Sequence, residues 1–199
     1  MIHTVQLKDV QPQPWRNGGG STCELLAWPA GAPWACRISV ARIEQNGPFS
    51  AFPGVERWFA VVQGEGVVLR FANRRALLSV GSEPLRFEGA SVPQCDLLDG
   101  TTQDLNLMAQ SAAGRAGMFT VKAGEAWDSS AALRAVYTTH AALLQVGQEP
   151  GILLPAHSLA YSDQAAQQTW RLTPSVTPSS STSPGPQAAW WMQFKPRTS

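Results

Sequence analysis

The stretch PWRNGGGST, residues 14–22, has residue types that could bind a phosphate. A phosphate loop needs a lysine directly after its last glycine, and a dinucleotide fingerprint needs spaced glycines that open a helix. Here Ser21 and Thr22 follow the glycines, and the next residues are strand-like. An Asn-Gly pair followed by further glycines is typical of a turn with positive φ. The stretch therefore predicts a turn that leads into a first strand, not a nucleotide site.

Two arginines on predicted strands could bind an anion. In RWFAVVQ, Arg57 shares a strand face with alternate apolar residues, and in WACRISVARI, Arg37 and Ser39 share a face with small residues. A guanidinium carries five donors in a rigid fork that fits a carboxylate, and a buried guanidinium needs a countercharge. The pattern therefore predicts a polar pocket for an anion. The alternatives are that both are ordinary outer-face arginines, or that they pair with an acidic residue of the chain: Glu24, Glu44, Glu56 or Asp104.

Polar residues from two other motifs complete the predicted pocket. In DLNLM, Asp104 and Asn106 lie on one strand face, where they could orient an arginine or accept a hydrogen bond from a ligand amide. Alternatively, they cap a strand end and Asn106 bonds to the backbone. In the glycine-rich stretch, Trp15 and Asn17 flank Arg16, and we expect both at the mouth of the pocket.

The composition argues against several classes of function. Of 199 residues, 44% are hydrophobic and 15% are charged, and the net charge of +1 predicts no long-range attraction to nucleic acid or to an anionic membrane. The first residues lack the organisation of a signal peptide, and no window approaches the roughly 20 apolar residues of a membrane span. The three cysteines include no close pair, which fits a reducing compartment. We therefore expect a cytoplasmic protein that binds neither nucleic acid nor membranes.

Short β-rich segments separated by Gly, Pro and Asn dominate the chain. This spacing predicts an all-β protein, either an antiparallel sandwich or a barrel. QGEG, residues 63–66, predicts a tight hairpin, and only the Ala-rich stretch 129–135 has a brief helical character. Residues 173–187 are rich in Pro and Ser and predict a mobile loop inside the fold, because the strand-like AAWWMQF follows them. The stretch 109–117 is the best boundary between two halves.

Five motifs occur in one order: PWRNGGGST, WACRISVARIE, NGPFSAFPGVER, QGEG and DLNLM. Together they closely resemble the HutD/Ves family, densely over residues 10–110 and loosely over the second half. The resemblance implies a bicupin, in which residues 1–112 and 113–199 form two double-stranded β-helix (RmlC-like jelly-roll) barrels that share an interface. It also implies a part in bacterial histidine utilisation, where HutD is regarded as a governor that binds an intermediate such as formylglutamate or urocanate.

The same resemblance allows a test for the metal site that many cupins hold. When the two cupin sequence boxes are laid over the first half, with Gly64 as the closing glycine, the glutamate slot falls on Arg57. The His-x-His slots fall on Ser50 and Phe52, or one residue later, and the histidine slot of the second box falls on Val92. None of these side chains offers the imidazole, thiolate or carboxylate that a transition metal prefers. We therefore predict no metal and no cofactor, and we expect the site to bind a small anion instead of a metal cation.

We expect a non-enzymatic protein that binds a small anionic metabolite, with no catalytic residue. Seven residues make up the predicted ligand-binding set: Trp15, Asn17, Arg37, Ser39, Arg57, Asp104 and Asn106. One alternative is a metal-independent cupin enzyme of the isomerase or epimerase kind, although the only tyrosines, Tyr137 and Tyr161, lie in the second half. Another alternative is an interaction scaffold without a ligand, whose apolar strand face forms a homodimer.

Overall fold

The computed structural model describes residues 1–31, 33–164, 168–175 and 188–197. Within these ranges the chain forms eighteen strands and one 3-10 helix, Leu7–Asp9, so the predicted all-β class is confirmed. In the described ranges, no helix has the length and apolar character that crossing a membrane demands.

Eleven strands belong to the first half of the chain: β1 His3–Gln6, β2 Gln13–Pro14, β3 Gly20–Trp28, β4 Cys36–Ile43, β5 Gly47–Pro48, β6 Val55–Gln63, β7 Val67–Arg70, β8 Arg75–Leu78, β9 Leu85–Glu88, β10 Gln94–Leu97 and β11 Thr102–Gln110. Seven strands belong to the second half: β12 Gly114–Thr120, β13 Leu133–Thr138, β14 Ala142–Val146, β15 Ile152–Leu154, β16 Ser158–Ser162, β17 Trp170–Pro174 and β18 Ala189–Pro196.

The strands form four sheets, two large and two small. The large sheet of the first half has the order β2-β3-β4-β11-β6-β9, and its small sheet has the order β5-β10-β7-β8. The second half has a large sheet, β1-β16-β13-β18-β12, and a small one, β15-β14-β17. Strand β1 thus pairs with β16 and joins the start of the chain to the sheet of the second half. The division into 1–112 and 113–199 falls in the turn between β11 and β12 and stays a prediction.

Three apolar cores hold these sheets together. The two large sheets pack against each other through a shared core that includes Ile38, Leu105 and Trp190. A second core, which includes Phe59, lies between the large and small sheets of the first half, and a third, which includes Trp170, lies between those of the second half. The order of layers is therefore small, large, large, small.

The two halves repeat one pairing scheme. The order β4-β11-β6-β9 in the first large sheet recurs as β12-β18-β13-β16 in the second, and β10-β7-β8 in the small sheet recurs as β17-β14-β15. The corresponding strands also follow one another in the same order along the chain: β6 to β11 in the first half correspond one for one to β13 to β18 in the second.

The register of β11 determines which side chains meet on one face of the first large sheet. Met108 pairs with Arg37 of β4 on one side and with Arg57 of β6 on the other, and Asn106 pairs with Ser39 of β4. Side chains alternate along a strand, so these residues share a face, opposite to the one that forms the core between the large sheets.

The predicted hairpin at QGEG is wrong, because β6 and β7 lie in different sheets. The segment is a corner at which the chain passes from the large sheet to the small one, and Gly64 and Gly66 both have positive φ. A Cβ atom on Gly66 would lie 2.1 Å from the Leu78 carbonyl oxygen. The Gly66 N–H also donates to Thr102 Oγ1 at 3.3 Å, so the corner is tied to β11. Local sequence could not distinguish a corner from a hairpin, since both require glycine at positive φ.

Two other expectations concern the second half. The brief helical character of residues 129–135 is not realised, because Leu133 begins β13, which lies between β16 and β18 in the large sheet. Pairing on both sides overrides the weak helical preference of alanine-rich sequence. The predicted late strand is confirmed as β18. Of the predicted Pro/Ser-rich loop, residues 176–187 lie outside the described residues.

Candidate functional site

The glycine-rich stretch forms the turn of a hairpin between β2 and β3, as predicted. Gly18 has a φ of 70°, and the Asn17 side-chain oxygen accepts a hydrogen bond from the Gly19 N–H at 3.1 Å. A Cβ atom on Gly20 would lie 2.1 Å from the Arg42 carbonyl oxygen. The first glycine therefore provides the left-handed conformation, and the third permits the hairpin to lie close against β4.

A cavity of about 410 Å³ lies beneath this hairpin. Its walls come from hairpin residues 13–17, from the inward faces of β4, β6 and β11, and from the segment 48–52. Seven of the lining residues are those of the predicted set: Trp15, Asn17, Arg37, Ser39, Arg57, Asp104 and Asn106. The structure thus brings the predicted set together, while ligand binding by these residues stays a prediction.

Arg57 is a buried cation in the wall of this cavity, only 6% exposed. Its Nη2 donates a hydrogen bond to Asn106 Oδ1 at 3.1 Å, whereas Nε and Nη1 are buried without a hydrogen-bond partner among the described residues. Three phenylalanine rings surround the guanidinium, with centroids between 5.1 and 5.4 Å from Cζ: Phe49, Phe52 and Phe87. Rings attract a cation but do not accept its hydrogen bonds as an oxygen does, so two nitrogens remain unsatisfied.

Asn106 connects this arginine to a buried carboxyl group. The Asn106 side-chain N–H donates to Asp104 Oδ2, while its Oδ1 accepts from Arg57. Asp104 is 1% exposed, and burial raises its pKa to about 8, against the opposing effects of Arg57 and of the hydrogen bond from Asn106. At neutral pH burial therefore favours the protonated form of Asp104, which carries no charge that would neutralise Arg57.

The cavity is consequently cationic at neutral pH. Burial lowers the pKa of Arg57 to about 10; the charge of Asp104 opposes this shift and that of Arg37 adds to it. A pKa of about 10 keeps the guanidinium charged at pH 7. A charged, incompletely hydrogen-bonded arginine beside a mostly neutral acid favours an anion in the cavity.

Arg37 borders the same cavity but has a partner of its own. Its Nε lies 2.7 Å from Glu24 Oε2, and 19% of the Arg37 side chain is exposed. Pairing with an acidic residue of the chain thus describes Arg37, although its buried Nε makes no hydrogen bond to any described residue. Arg57 is instead a buried cation that forms no ion pair with any described residue. Ser39, two residues along β4, is 3% exposed and lines the wall beside Asn106, its partner on β11.

The mouth of the cavity is formed by the hairpin. The Trp15 indole N–H donates to Thr22 Oγ1 at 2.8 Å, which fixes the ring against β3. Arg16, the next residue, is exposed, lines the cavity and forms no ion pair with any described residue.

Sequence reasoning missed the apolar part of the site. Phe49 and Phe52 line the cavity from a segment in which only the two residues of β5 are strand, so alternation could not assign their direction. Phe87 comes from β9, which pairs with β6 and places the ring beside Arg57. The motif NGPFSAFPGVER could have indicated this apolar part, because it contains two of the three rings, Phe49 and Phe52, together with Arg57.

The structure brings together only some of the residues that occupy the metal-ligand positions of the two cupin sequence boxes. Ser50, Phe52 and Arg57 line the cavity, but Val92 is 48% exposed and lies elsewhere. The alignment of the second box is therefore wrong at Val92, because it falls in a surface turn between β9 and β10. Within the described residues, no group of three or more His, Cys, Asp or Glu side chains could hold a metal ion. The absence of a metal stays a prediction.

A second buried arginine lies on the corresponding strand of the second half. Arg134 of β13 is 1% exposed and lies over the Trp170 ring, at 5.3 Å from Cζ to the centroid. Its Nη1 donates to the Gln168 carbonyl oxygen at 3.2 Å and its Nη2 to that of Gln164 at 3.1 Å. Main-chain carbonyls thus satisfy two of its nitrogens, and Nε alone has no partner among the described residues.

Comparisons with known sequences give one consistent result. The family described as HutD matches residues 7–177 of this chain. A protein of Pseudomonas putida described as an uncharacterized 21.2 kDa protein in the hutC 3′ region is 33% identical over 111 residues, which are 54% of this chain and 57% of that protein. Protein Ves of Citrobacter koseri is 37% identical over 107 residues, which are 51% of this chain and 56% of Ves. The chain spans a little more than half the length of these curated relatives.

Solved structures extend the likeness to the whole chain. HutD from Pseudomonas fluorescens SBW25, solved in a formate condition, has a TM-score of 0.83 and 26% identity, with all of both chains covered. A conserved protein of unknown function from Pseudomonas aeruginosa PAO1 has a TM-score of 0.84 and 25% identity, again over all of both chains. A variant of Bacillus subtilis oxalate decarboxylase, only 8% identical, has a TM-score of 0.62 and covers 98% of this chain and 78% of its own. The fold is therefore cupin-like.

Proposed function

Because the chain belongs to the HutD family, we propose that it is a non-enzymatic protein that binds a small carboxylate in the cavity beneath the β2–β3 hairpin. The observation that carries the proposal is the incompletely satisfied Arg57, which has two buried nitrogens without an acceptor in the described part of the chain. A carboxylate supplies both the acceptors and the countercharge, and its pairing with a guanidinium is among the strongest hydrogen-bonded contacts in proteins.

The neutral state of Asp104 supports an anionic ligand. An ionised Asp104 would supply the countercharge through Asn106, and the cavity would have little need of another anion. Burial instead raises the pKa of Asp104 to about 8, so the proton stays on this carboxyl group at neutral pH. Asp104 and Asn106 then act as positioning residues that hold the Arg57 guanidinium in one orientation.

The size and walls of the cavity support a small molecule. A volume of about 410 Å³ lies within the roughly 300–1,000 Å³ that is usual for ligand sites. The lining divides into apolar side chains, among them the rings of Phe49 and Phe52, and polar side chains, among them Ser39 and Asn17. A carboxylate attached to a short organic chain or ring fits this division.

The family supports intermediates of histidine breakdown as ligands. One relative is described by its place beside hutC, and a close structural neighbour is HutD. Formylglutamate and urocanate both carry the carboxylate that Arg57 would bind, and they are the ligands that we propose. In this proposal the protein limits the output of the pathway by responding to one of these metabolites in the cytoplasm.

We further propose that the chain is a bicupin, with one barrel in residues 1–112 and one in 113–199. The repeated strand pairing supports this division, because each half has a large and a small sheet around its own apolar core. The shared core between the large sheets makes the barrels one unit. A homodimer stays a prediction.

One contact bears on the alternative of a cupin enzyme. The Tyr137 hydroxyl lies 3.2 Å from His157 Nδ1, an arrangement that could transfer a proton. Tyr137, however, is fully buried in the core between the large sheets, and burial raises the pKa of its hydroxyl and lowers the pKa of His157. A neutral hydroxyl bonded to a neutral imidazole inside a core is a structural contact, so we propose no acid–base function for this pair.

Isothermal titration calorimetry of purified protein with formylglutamate, urocanate, glutamate and formate tests the proposal. We expect one or more of these acids to bind, and Arg57→Ala to weaken binding about 30-fold or more, because a buried charge pair is lost. Arg57→Lys loses most of the affinity as well, since an ammonium cannot reproduce the fork. The control is Arg42→Ala, which removes an exposed arginine that pairs with Glu44 outside the cavity. Equal binding by wild type and Arg57→Ala would refute the proposal.

A further inference from the structure

We infer that the ligand is a dicarboxylate, and that Arg16 in the turn of the β2–β3 hairpin binds its second carboxylate. This inference rests on the proposed function, because it assigns the first carboxylate to Arg57. It goes further by naming the ligand class, which selects formylglutamate, a dicarboxylate, over the monocarboxylate urocanate, and by naming a residue that determines specificity.

The distribution of charge around the cavity has two free positive poles. Arg57 is buried in the wall, and Arg16 is exposed at the mouth. Arg37, the third arginine of the lining, has its charge offset by Glu24. Among the described lining residues, the only acidic side chain is Asp104, which is mostly neutral at pH 7. A ligand with one anionic group, bound to Arg57, would therefore leave Arg16 at the mouth without an anionic partner.

The apolar part of the cavity lining fits the body of such a ligand. Pro48, Phe49 and Phe52 line one side of the cavity, and Trp15 lies at its mouth beside Arg16. Apolar surface of this kind accommodates methylene groups, whose burial is favourable. A short aliphatic chain with a carboxylate at each end matches a lining that combines two cationic side chains with apolar ones.

The hairpin backbone holds Arg16 in a fixed place. The Gly18 N–H donates to the Trp15 carbonyl oxygen at 3.0 Å, which makes Arg16 the second residue of a four-residue turn. The Trp15 N–H donates to the Gly20 carbonyl oxygen at 2.9 Å and closes the hairpin behind it. Because the backbone and the Trp15 ring are already ordered, binding a carboxylate requires only the Arg16 side chain to become fixed.

The test compares acids that differ only in the second carboxylate. Calorimetry is performed with malonate, succinate, glutarate and adipate, each against the monocarboxylate of the same carbon number, on wild type, Arg16→Gln and Arg42→Gln. Arg42→Gln is the matched control, because it removes the same charge from an exposed arginine that does not line the cavity. Each series is repeated at low and high NaCl.

For at least one chain length, we expect wild type to bind the dicarboxylate about fivefold more tightly than its monocarboxylate, or about 1 kcal/mol. Arg16→Gln removes this preference and leaves monocarboxylate affinity unchanged, whereas Arg42→Gln keeps the preference. High salt also reduces it, since Arg16 is exposed to solvent. Monocarboxylates that bind through Arg57 with no dicarboxylate preference, or a preference that survives Arg16→Gln, would overturn this inference alone. Failure of every acid to bind would overturn both the inference and the proposed function.

Discussion

Arg57 and Arg134 are buried cations on corresponding strands of the two halves, but only Arg134 is held by main-chain carbonyl oxygens. The peptide groups of Gln164 and Gln168 satisfy two nitrogens of Arg134, whereas one side-chain oxygen satisfies a single nitrogen of Arg57. Arg134 thus has the partners of a structural residue. Arg57 has two nitrogens without hydrogen-bond acceptors among the described residues, and it lies beside a cavity. A ligand-binding residue requires both features.

This difference predicts opposite effects on stability when each arginine is replaced by methionine. In the ligand-free protein, we expect Arg57→Met to be neutral or to stabilise by about 1 kcal/mol, because an incompletely paired buried charge is removed. Arg134→Met is expected to destabilise by about 2 kcal/mol, because it removes two charge-assisted hydrogen bonds to partly buried carbonyl oxygens. Urea unfolding of both variants measures the effects. Equal losses of stability would mean that Arg57 is also structural.

The protonated state of Asp104 predicts a pH dependence of stability. The pKa of Asp104 is raised to about 8 in the folded protein, whereas an aspartate in the unfolded chain titrates near 3.9. Between about pH 4 and 8 the folded state therefore binds a proton that the unfolded state has released, so this contribution to stability falls as the pH rises. The full contribution is present below pH 4.

Asp104→Asn removes this proton and tests the assignment. Across that pH range, the free energy of unfolding of wild type relative to Asp104→Asn should decrease by up to about 1.4 kcal/mol per pH unit. Urea unfolding at pH 5, 6, 7 and 8 gives the difference at each pH. A difference that is constant or that grows with pH would show that Asp104 is ionised throughout and neutralises Arg57.

The hairpin predicts unequal costs for alanine at neighbouring glycines. Gly20→Ala should destabilise the protein by about 2 kcal/mol, because its Cβ would overlap the Arg42 carbonyl oxygen and push the hairpin from β4. Gly19→Ala should cost much less, since its Cβ would lie in ordinary contact, 3.4 Å from Asn17 Oδ1. Thermal unfolding of the two variants makes the comparison. A larger loss for Gly19→Ala would mean that the hairpin has a different conformation.

The residues in the cupin ligand slots predict a protein without a bound transition metal. Ser50, Phe52 and Arg57 line the cavity, and the fixed positive charge of Arg57 opposes a cation there. Elemental analysis of purified protein should find Zn, Fe, Mn and Ni far below one ion per chain. Removal of metals by a chelator should leave carboxylate binding unchanged. One ion per chain that is lost together with ligand binding would contradict this account.

Strand alternation predicted the polar face of the site from sequence. Arg57, Ser39, Asp104 and Asn106 lie on strands with a clear period of two, so their directions followed once the strands were identified. The hydrogen-bond and ion-pair partners of these residues could not be predicted from alternation. Whether Arg37 pairs with Glu24, and which donors of Arg57 stay free, depends on the register between strands that are distant in sequence.

Connections between sheets could not be predicted from local sequence. Gly64 and Gly66 gave the signal of a turn, but only tertiary pairing decides that β7 joins β10 and β8 and not β6. The second cupin box was wrongly aligned on Val92 for a related reason. The fixed spacing of that box assumes a loop length that differs from the one in this chain. The phenylalanine rings around Arg57 come from β9 and from an irregular segment, where period-two patterning gives no direction.

A crystal structure of the protein with the acid that binds most tightly in calorimetry tests the central claim most directly. The account predicts a carboxylate in the cavity beneath the β2–β3 hairpin, with its oxygens about 2.7–3.2 Å from guanidinium nitrogens of Arg57. The Asn106 side chain should still bridge Arg57 and Asp104. A ligand bound elsewhere on the protein, with Arg57 making the same single hydrogen bond as in the unliganded chain, would contradict the account.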